Sequence, residues 1–318
     1  MMQYRLVALV VAAVLLPSAS SCSDTGPAPN GQPAEAKPSA APDSGKPEAV
    51  AHSDRGFAAL DKADYDGAIA AFAEAIRLDP GNPALHVGRG NSYQGKGDRV
   101  RAMADYDEAV RLGPKVPLAY IVRGAARSNR GEHDLALADF AEAIRLDPAN
   151  ADPHVERGNT FALKRSYAKA VSEYTEAIRI NPGLVSALAN RGDVYSRFGQ
   201  NDKAVADFTE AIRLDPKQIQ PYLFRGAILF ESFQYEKAVA DFTEAIRLDP
   251  KLRSSYYMRG CAYGESKQFD KAIADLTEAI RLDPSRADAY AARAKAFRAS
   301  GNEPRAAGDE SKARALGR

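Results

Sequence analysis

The chain has 318 residues, with 43 Lys and Arg against 42 Asp and Glu, 45% apolar residues and no Trp. A net charge of +1 without any basic block excludes the electrostatic footprint of a nucleic-acid binder, and no small-molecule substrate is evident. Two cysteines, Cys22 and Cys261, are too few for a disulfide framework.

Residues 1–21 read as an export signal: Arg5, an uncharged apolar run from Leu6 to Leu16, then Pro17 and small residues. That run is too short to span a bilayer as a permanent helix. Ala19-Ser20-Ser21-Cys22 resembles a bacterial lipobox with Ala in place of its usual Leu. The resemblance implies lipid attachment at Cys22 and a membrane-anchored protein of the cell envelope or periplasm. Cleavage after Ser20 or Ser21 would instead release a soluble secreted protein. Residues 22–48 are rich in Pro, Ala, Gly and Ser and cannot bury enough apolar surface to offset ordering, so a disordered tether is expected there. At about 3.1 Å per residue, its polyproline form would reach on the order of 80 Å.

From Ala49 onward the sequence is periodic. Pro80, Pro114, Pro148, Pro182, Pro216, Pro250 and Pro284 are separated by 34 residues each, and AVADFTEAIRLDP at Ala204–Pro216 returns unchanged at Ala238–Pro250. A fixed period in this range is the signature of stacked units that cannot bury their apolar faces alone. Counting back from the prolines places repeat starts at Ala49, Pro83, Pro117, Ala151, Val185, Ile219, Arg253 and Ala287, each with two amphipathic segments. The first carries Arg-Gly at a fixed offset, from Arg55-Gly56 to Arg259-Gly260; a recurrent glycine inside a helix predicts close packing. The second carries an apolar stripe, Ala204, Phe208, Ala211 and Ile212, with Asp207, Glu210 and Arg213 expected on the opposite, water-facing side. Asp-Pro ends it.

These residues resemble the tetratricopeptide repeat family, whose pattern is met at Gly192, Tyr195, Ala204, Phe208, Ala211 and Pro216. The resemblance implies an all-α, right-handed superhelical solenoid of about eight helix-turn-helix units over residues 49–318, seven full repeats and a C-terminal capping pair. The cap is expected because Glu310 and Arg314 stand on an otherwise apolar stripe. The family's early tryptophan is replaced by His52, His86, Tyr120, His154, Leu188, Tyr222, Tyr256 and Tyr290, which reads as a packing position rather than a metal cluster. No metal or cofactor is expected.

No HExxH, GxSxG, Walker loop or paired CxxC is present, so a non-enzymatic protein-interaction scaffold is expected. The resemblance implies that the first helices line a groove for peptides or partner helices. Carried over residue by residue, its lining is Phe57, Leu60, Val87, Asn91, Leu118, Ile121, Val155, Asn159, Asn190, Asp193, Leu223, Phe230, Tyr257 and Cys261. The asparagines would hold a peptide backbone and their apolar neighbours would select side chains. Alternative readings are a subunit or regulator of an envelope enzyme and a self-assembling structural solenoid.

Overall fold

The computed structural model describes residues 47–317; the expected export signal, Cys22 and nearly all of the expected tether lie outside them. Sixteen α-helices follow in pairs: α1 (Pro47–Leu60) and α2 (Tyr65–Leu78), α3 (Pro83–Gly95) and α4 (Arg99–Leu112), α5 (Pro117–Asn129) and α6 (His133–Leu146), α7 (Asp152–Leu163) and α8 (Tyr167–Ile180). The series continues with α9 (Val185–Arg197) and α10 (Asn201–Leu214), α11 (Ile219–Glu231) and α12 (Tyr235–Leu248), α13 (Arg253–Glu265) and α14 (Phe269–Leu282), α15 (Ala287–Ala299) and α16 (Glu303–Leu316). The architecture is an all-α solenoid of helix-turn-helix repeats. Only its first helix departs from the counted starts by more than one residue, opening at Pro47 rather than Ala49, with Glu48 in the first turn where the helix dipole favours an acid.

Local chemistry sets the punctuation. Each of the first seven second helices stops at the residue before Asp-Pro or its equivalent, because proline drives the preceding residue out of the helical region. Asp215 has φ −138° and ψ 93°, and its side chain then accepts the backbone N–H of Lys217 at 3.0 Å to fix the turn. Asp147, Asn181, Asp249 and Asp283 do the same. Between the helices of a pair the chain reverses through one residue with positive φ, at 63, 97, 131, 165, 199, 233, 267 and 301. Glycine fills half of these places; Ala63, Arg165, Phe233 and Lys267 adopt the conformation against the steric preference of an L-residue.

The chain divides into two compact units, with the boundary between Ala187 and Leu188 inside α9. In both, the helices of a repeat pack on each other and on the next pair, and first helices of successive repeats also touch. Both units are held by the same two-residue clasp. The glycine of Arg-Gly lies under the aromatic ring of the second helix: a Cβ on Gly124 would meet Phe140 at 2.7 Å, and one on Gly158 would meet Tyr174 at 2.6 Å. Gly88-x-Gly90 lets α3 sit between two rings, Phe72 on one side and Tyr106 on the other. From the second repeat onward, the arginine at the Arg-Gly position reaches an acid on the second helix of its own repeat. Arg225 donates Nε to Asp241 Oδ2 at 2.9 Å and Nη2 to Oδ1 at 2.6 Å, and Arg89, Arg123, Arg191, Arg259 and Arg293 make the same fork.

Asp207 is therefore not on the water-facing side of α10. It is buried and bound to Arg191, whereas Glu210 and Arg213 do pair in water at 2.6 Å. Counting along one helix cannot reveal that the next helix brings a cation to it. The arginines also fasten neighbouring repeats, since Nη1 of Arg225, Arg259 and Arg293 donates to Thr209, Thr243 and Thr277 of the preceding second helix. His86 and His154 join the clasp, with Nδ1 3.3 Å from Asp105 and 2.9 Å from Glu173. At two of the positions where tyrosine takes their place, its hydroxyl donates to the preceding proline carbonyl: Tyr120 to Pro114 and Tyr222 to Pro216. In the last repeat, Glu310 replaces the ring and binds Arg298 at 2.6 Å, and the facing glycine becomes Ala294. Among the described residues no helix is long and apolar enough to cross a membrane.

Candidate functional site on the first helices

In the N-terminal unit the expected groove residues separate into three groups. Phe57 and Leu60 on α1 are half-buried against Phe72, the two rings meeting edge to face at 5.0 Å. Val87, Ile121 and Val155 are core residues rather than groove residues, exposed by only 5%, 7% and 7%. The physical reason is that a first helix is contacted by its own partner and by both neighbouring repeats, so its apolar stripe is wider than that of a surface helix. Leu118 is half-buried against the same cluster as Val87. Asn91 and Asn159 serve the core tyrosines: each side-chain carbonyl accepts the hydroxyl of the ring in its own repeat, Tyr106 and Tyr174, at 2.8 Å. Burial, partly offset by the Asn159 amide, raises the carboxyl of nearby Glu156 above its ordinary range.

In the C-terminal unit Asn190 is half-buried and Asp193 is held by Arg197 at 2.8 Å. Leu223, Phe230 and Tyr257 pack on a cluster of Ala227, Leu229, Ala238, Phe242 and Met258. Phe230, Tyr257 and Cys261 are brought together at one cavity of about 190 Å³. It lies between α13 and α15, with Phe230 of α11 at one side and Phe269 and Leu276 of α14 forming its inner wall.

The remaining wall residues carry no sequence motif. Gly264 has open space where a Cβ would stand, with only Ala272 nearby at 3.9 Å, and α15 contributes Ala292, Ala296 and Ala299. Leu276 supplies the signal that sequence reasoning passed over: at this place the other full repeats have Phe72, Tyr106, Phe140, Tyr174, Phe208 and Phe242. At the rim Lys295 and Glu265 close an ion pair at 2.6 Å. Burial, opposed by a hydrogen bond with Tyr257, pushes the Cys261 thiol up to about 12, and burial foremost also raises the Tyr257 phenol. Both groups are thus neutral at physiological pH. Cys261 is a polarizable wall and not a nucleophile, since reactivity needs the thiolate. Among the described residues no three His, Cys, Asp or Glu side chains are grouped to hold a metal ion.

The volume decides what the cavity can hold. Sites for drug-sized ligands occupy about 300–1,000 Å³, whereas an apolar cavity of about 150 Å³ accepts benzene. This one fits a single side chain.

A family model described as tetratricopeptide repeat matches residues 54–117, and one described as the ETO1 C-terminal domain matches residues 132–290, half of the chain. The chain is a tetratricopeptide repeat protein. Solved tetratricopeptide-like structures share its fold. The pilF protein of Pseudomonas aeruginosa has 18% identity, covers 65% of this chain and 94% of its own, and gives a TM-score of 0.58. A tetratricopeptide repeat protein from Parabacteroides merdae has 24% identity with 74% and 93% covered and a TM-score of 0.52. YrrB, described as having an unusual peptide-binding site, has 22% identity with 58% and 95% covered and a TM-score of 0.51. At these identities the similarity establishes fold and nothing further. No curated protein matches the chain in sequence.

Proposed function

We propose that this tetratricopeptide repeat protein is a non-enzymatic scaffold that captures protein partners by seating their side chains on the first helices of its C-terminal unit. The observation that carries this reading is the convergence of Phe230, Tyr257 and Cys261 on one open, mainly apolar cavity of single-side-chain size. YrrB, which shares the fold, is described as having a peptide-binding site. Asn91 and Asn159 have a structural role, so the recognition surface is narrower than the groove implied by family resemblance.

Export and anchoring belong to the same proposal. The apolar run at Leu6–Leu16, the lipobox-like Ala19–Cys22 and the Pro-rich stretch after it support a scaffold held at the bacterial cell envelope by lipid on Cys22. Confinement to a membrane would raise the effective concentration of weakly bound partners there. Intact mass and fractionation test the anchor: Cys22→Ser should abolish the lipid mass and move the protein to the soluble fraction.

The capture site is tested by placing a photocrosslinking residue at Ala299, on the cavity wall, and at Thr277, on the exposed side of α14. Defined adducts are expected from position 299 and not from 277. Equal adducts at both positions, or none at 299, would contradict the reading.

A further inference from the structure

We propose that the cavity between α13 and α15 is a receptor for an aromatic side chain, Phe or Tyr, of a bound peptide, whose ring occupies space left by Leu276. This rests on the scaffold reading above and names what its site selects.

Three observations carry it. In the six preceding repeats a ring stands at the position of Leu276, and in this repeat a shorter aliphatic side chain does. The space is not recovered by its neighbours, because Gly264 has no Cβ and α15 faces it with alanines; a cavity of about 190 Å³ results. An apolar cavity of about 150 Å³ already binds benzene, so one of about 190 Å³ accommodates a phenyl ring. Charge complementarity selects in the same direction. The charges at the rim, Lys295 and Glu265, neutralise one another at 2.6 Å, and the Cys261 thiol and Tyr257 phenol are held protonated by burial. An uncharged ring matches this lining, whereas a carboxylate or ammonium would be desolvated without a partner. The Cys261 sulfur adds a favourable contact at a ring edge.

The outer approach is aromatic as well. Phe230 meets Tyr235 edge to face at 5.5 Å, and Tyr235 meets Phe233 at 6.2 Å. Phe233 is 62% exposed and occupies the positive-φ turn, with φ 60°, where four other repeats have glycine. These rings form a path from solvent to the cavity wall, on which a ring can be held before it enters.

The test is selection of a displayed library of random short peptides on the full-length protein, followed by affinity measurement on synthesised winners. Selected peptides should share one Phe or Tyr position, and its replacement by Ala should weaken binding by about ten- to a hundredfold, the worth of burying one apolar side chain. Leu276→Phe, which restores the residue of the other repeats, should fold normally and weaken the same peptides to a similar degree. Ala299→Glu, at an exposed position, should do so by bringing charge to the rim. Peptides selected without a common aromatic residue, or undiminished binding to both variants, would overturn the proposal and leave the scaffold reading standing. Failure to select any peptide would overturn both.

Discussion

At the residue scale the clasp shows how little geometry separates a satisfied ion pair from a strained one. Glu173 is the only glutamate among seven clasp acids, and its extra methylene shifts the carboxylate so that Arg157 donates Nη2 at 2.8 Å while its buried Nε has no partner among the described residues. Glu173→Asp should restore the fork and raise stability by about 1 kcal/mol, the usual worth of a recovered hydrogen bond. Unfolding in urea measures it, and no gain would show that the backbone, not the side-chain length, sets the gap. The same carboxylates govern acid sensitivity. Burial alone would raise the Asp105 carboxyl, but hydrogen bonds from His86 and Arg89 outweigh it and hold it below the usual range; Glu173 is held down likewise by His154 and Arg157. A carboxyl depressed in the folded state stabilises fully above its unfolded value of about 4 and loses that contribution as pH falls through the folded value. Stability of the protein should therefore fall as pH drops below about 4, and Asp105→Asn should be less stable at neutral pH with a shallower acid dependence.

At the element scale identical substitutions should have opposite signs. Alanine is preferred over glycine by about 1 kcal/mol within a helix, and a Cβ added at Gly308 in α16 would meet nothing within 4 Å, so Gly308→Ala should stabilise by about that amount. Gly124→Ala in α5 would place its Cβ 2.7 Å from the Phe140 ring and should cost about 1–3 kcal/mol through overpacking. Thermal unfolding of the two variants distinguishes a packing glycine from a merely tolerated one. The exposed Glu–Arg pairs near the ends of second helices, such as Glu210 with Arg213, are screened by water and contribute far less than the half-buried clasp.

Much of this is legible in the residues alone. The 34-residue spacing of prolines gives repeat number and helix ends to within a residue or two, because proline and Asx chemistry act locally. The recurrent glycine correctly announces close packing. Asp207 is not legible as a buried residue, since its partner is 16 positions away on another helix. Nor are Val87, Ile121 and Val155 separable from the other expected groove residues, because adjacent positions on a helix packed from three sides share the same polarity. The cavity is encoded in one departure, Leu276 for an aromatic ring, which matters only once Gly264 and the alanines of α15 are seen to leave its space empty.

At the scale of the whole molecule, a repeat array stabilised by neighbour contacts can specialise one repeat without altering the rest. The terminal repeats illustrate this. The first has Ala71 where the clasp acid would stand, and the last replaces ring and glycine with Glu310 and Ala294. Residues that make the fold recognisable, above all the repeated AVADFTEAIRLDP, are committed to the clasp and the stripe. Recognition is proposed to fall on the first helices, where the repeats differ. Hydrogen exchange of the full-length protein, with and without a peptide selected on it, tests this division of labour most directly. Protection concentrated in residues 253–265 and 287–299 is the predicted result. Protection confined to the second helices, or spread evenly over all repeats, would contradict it.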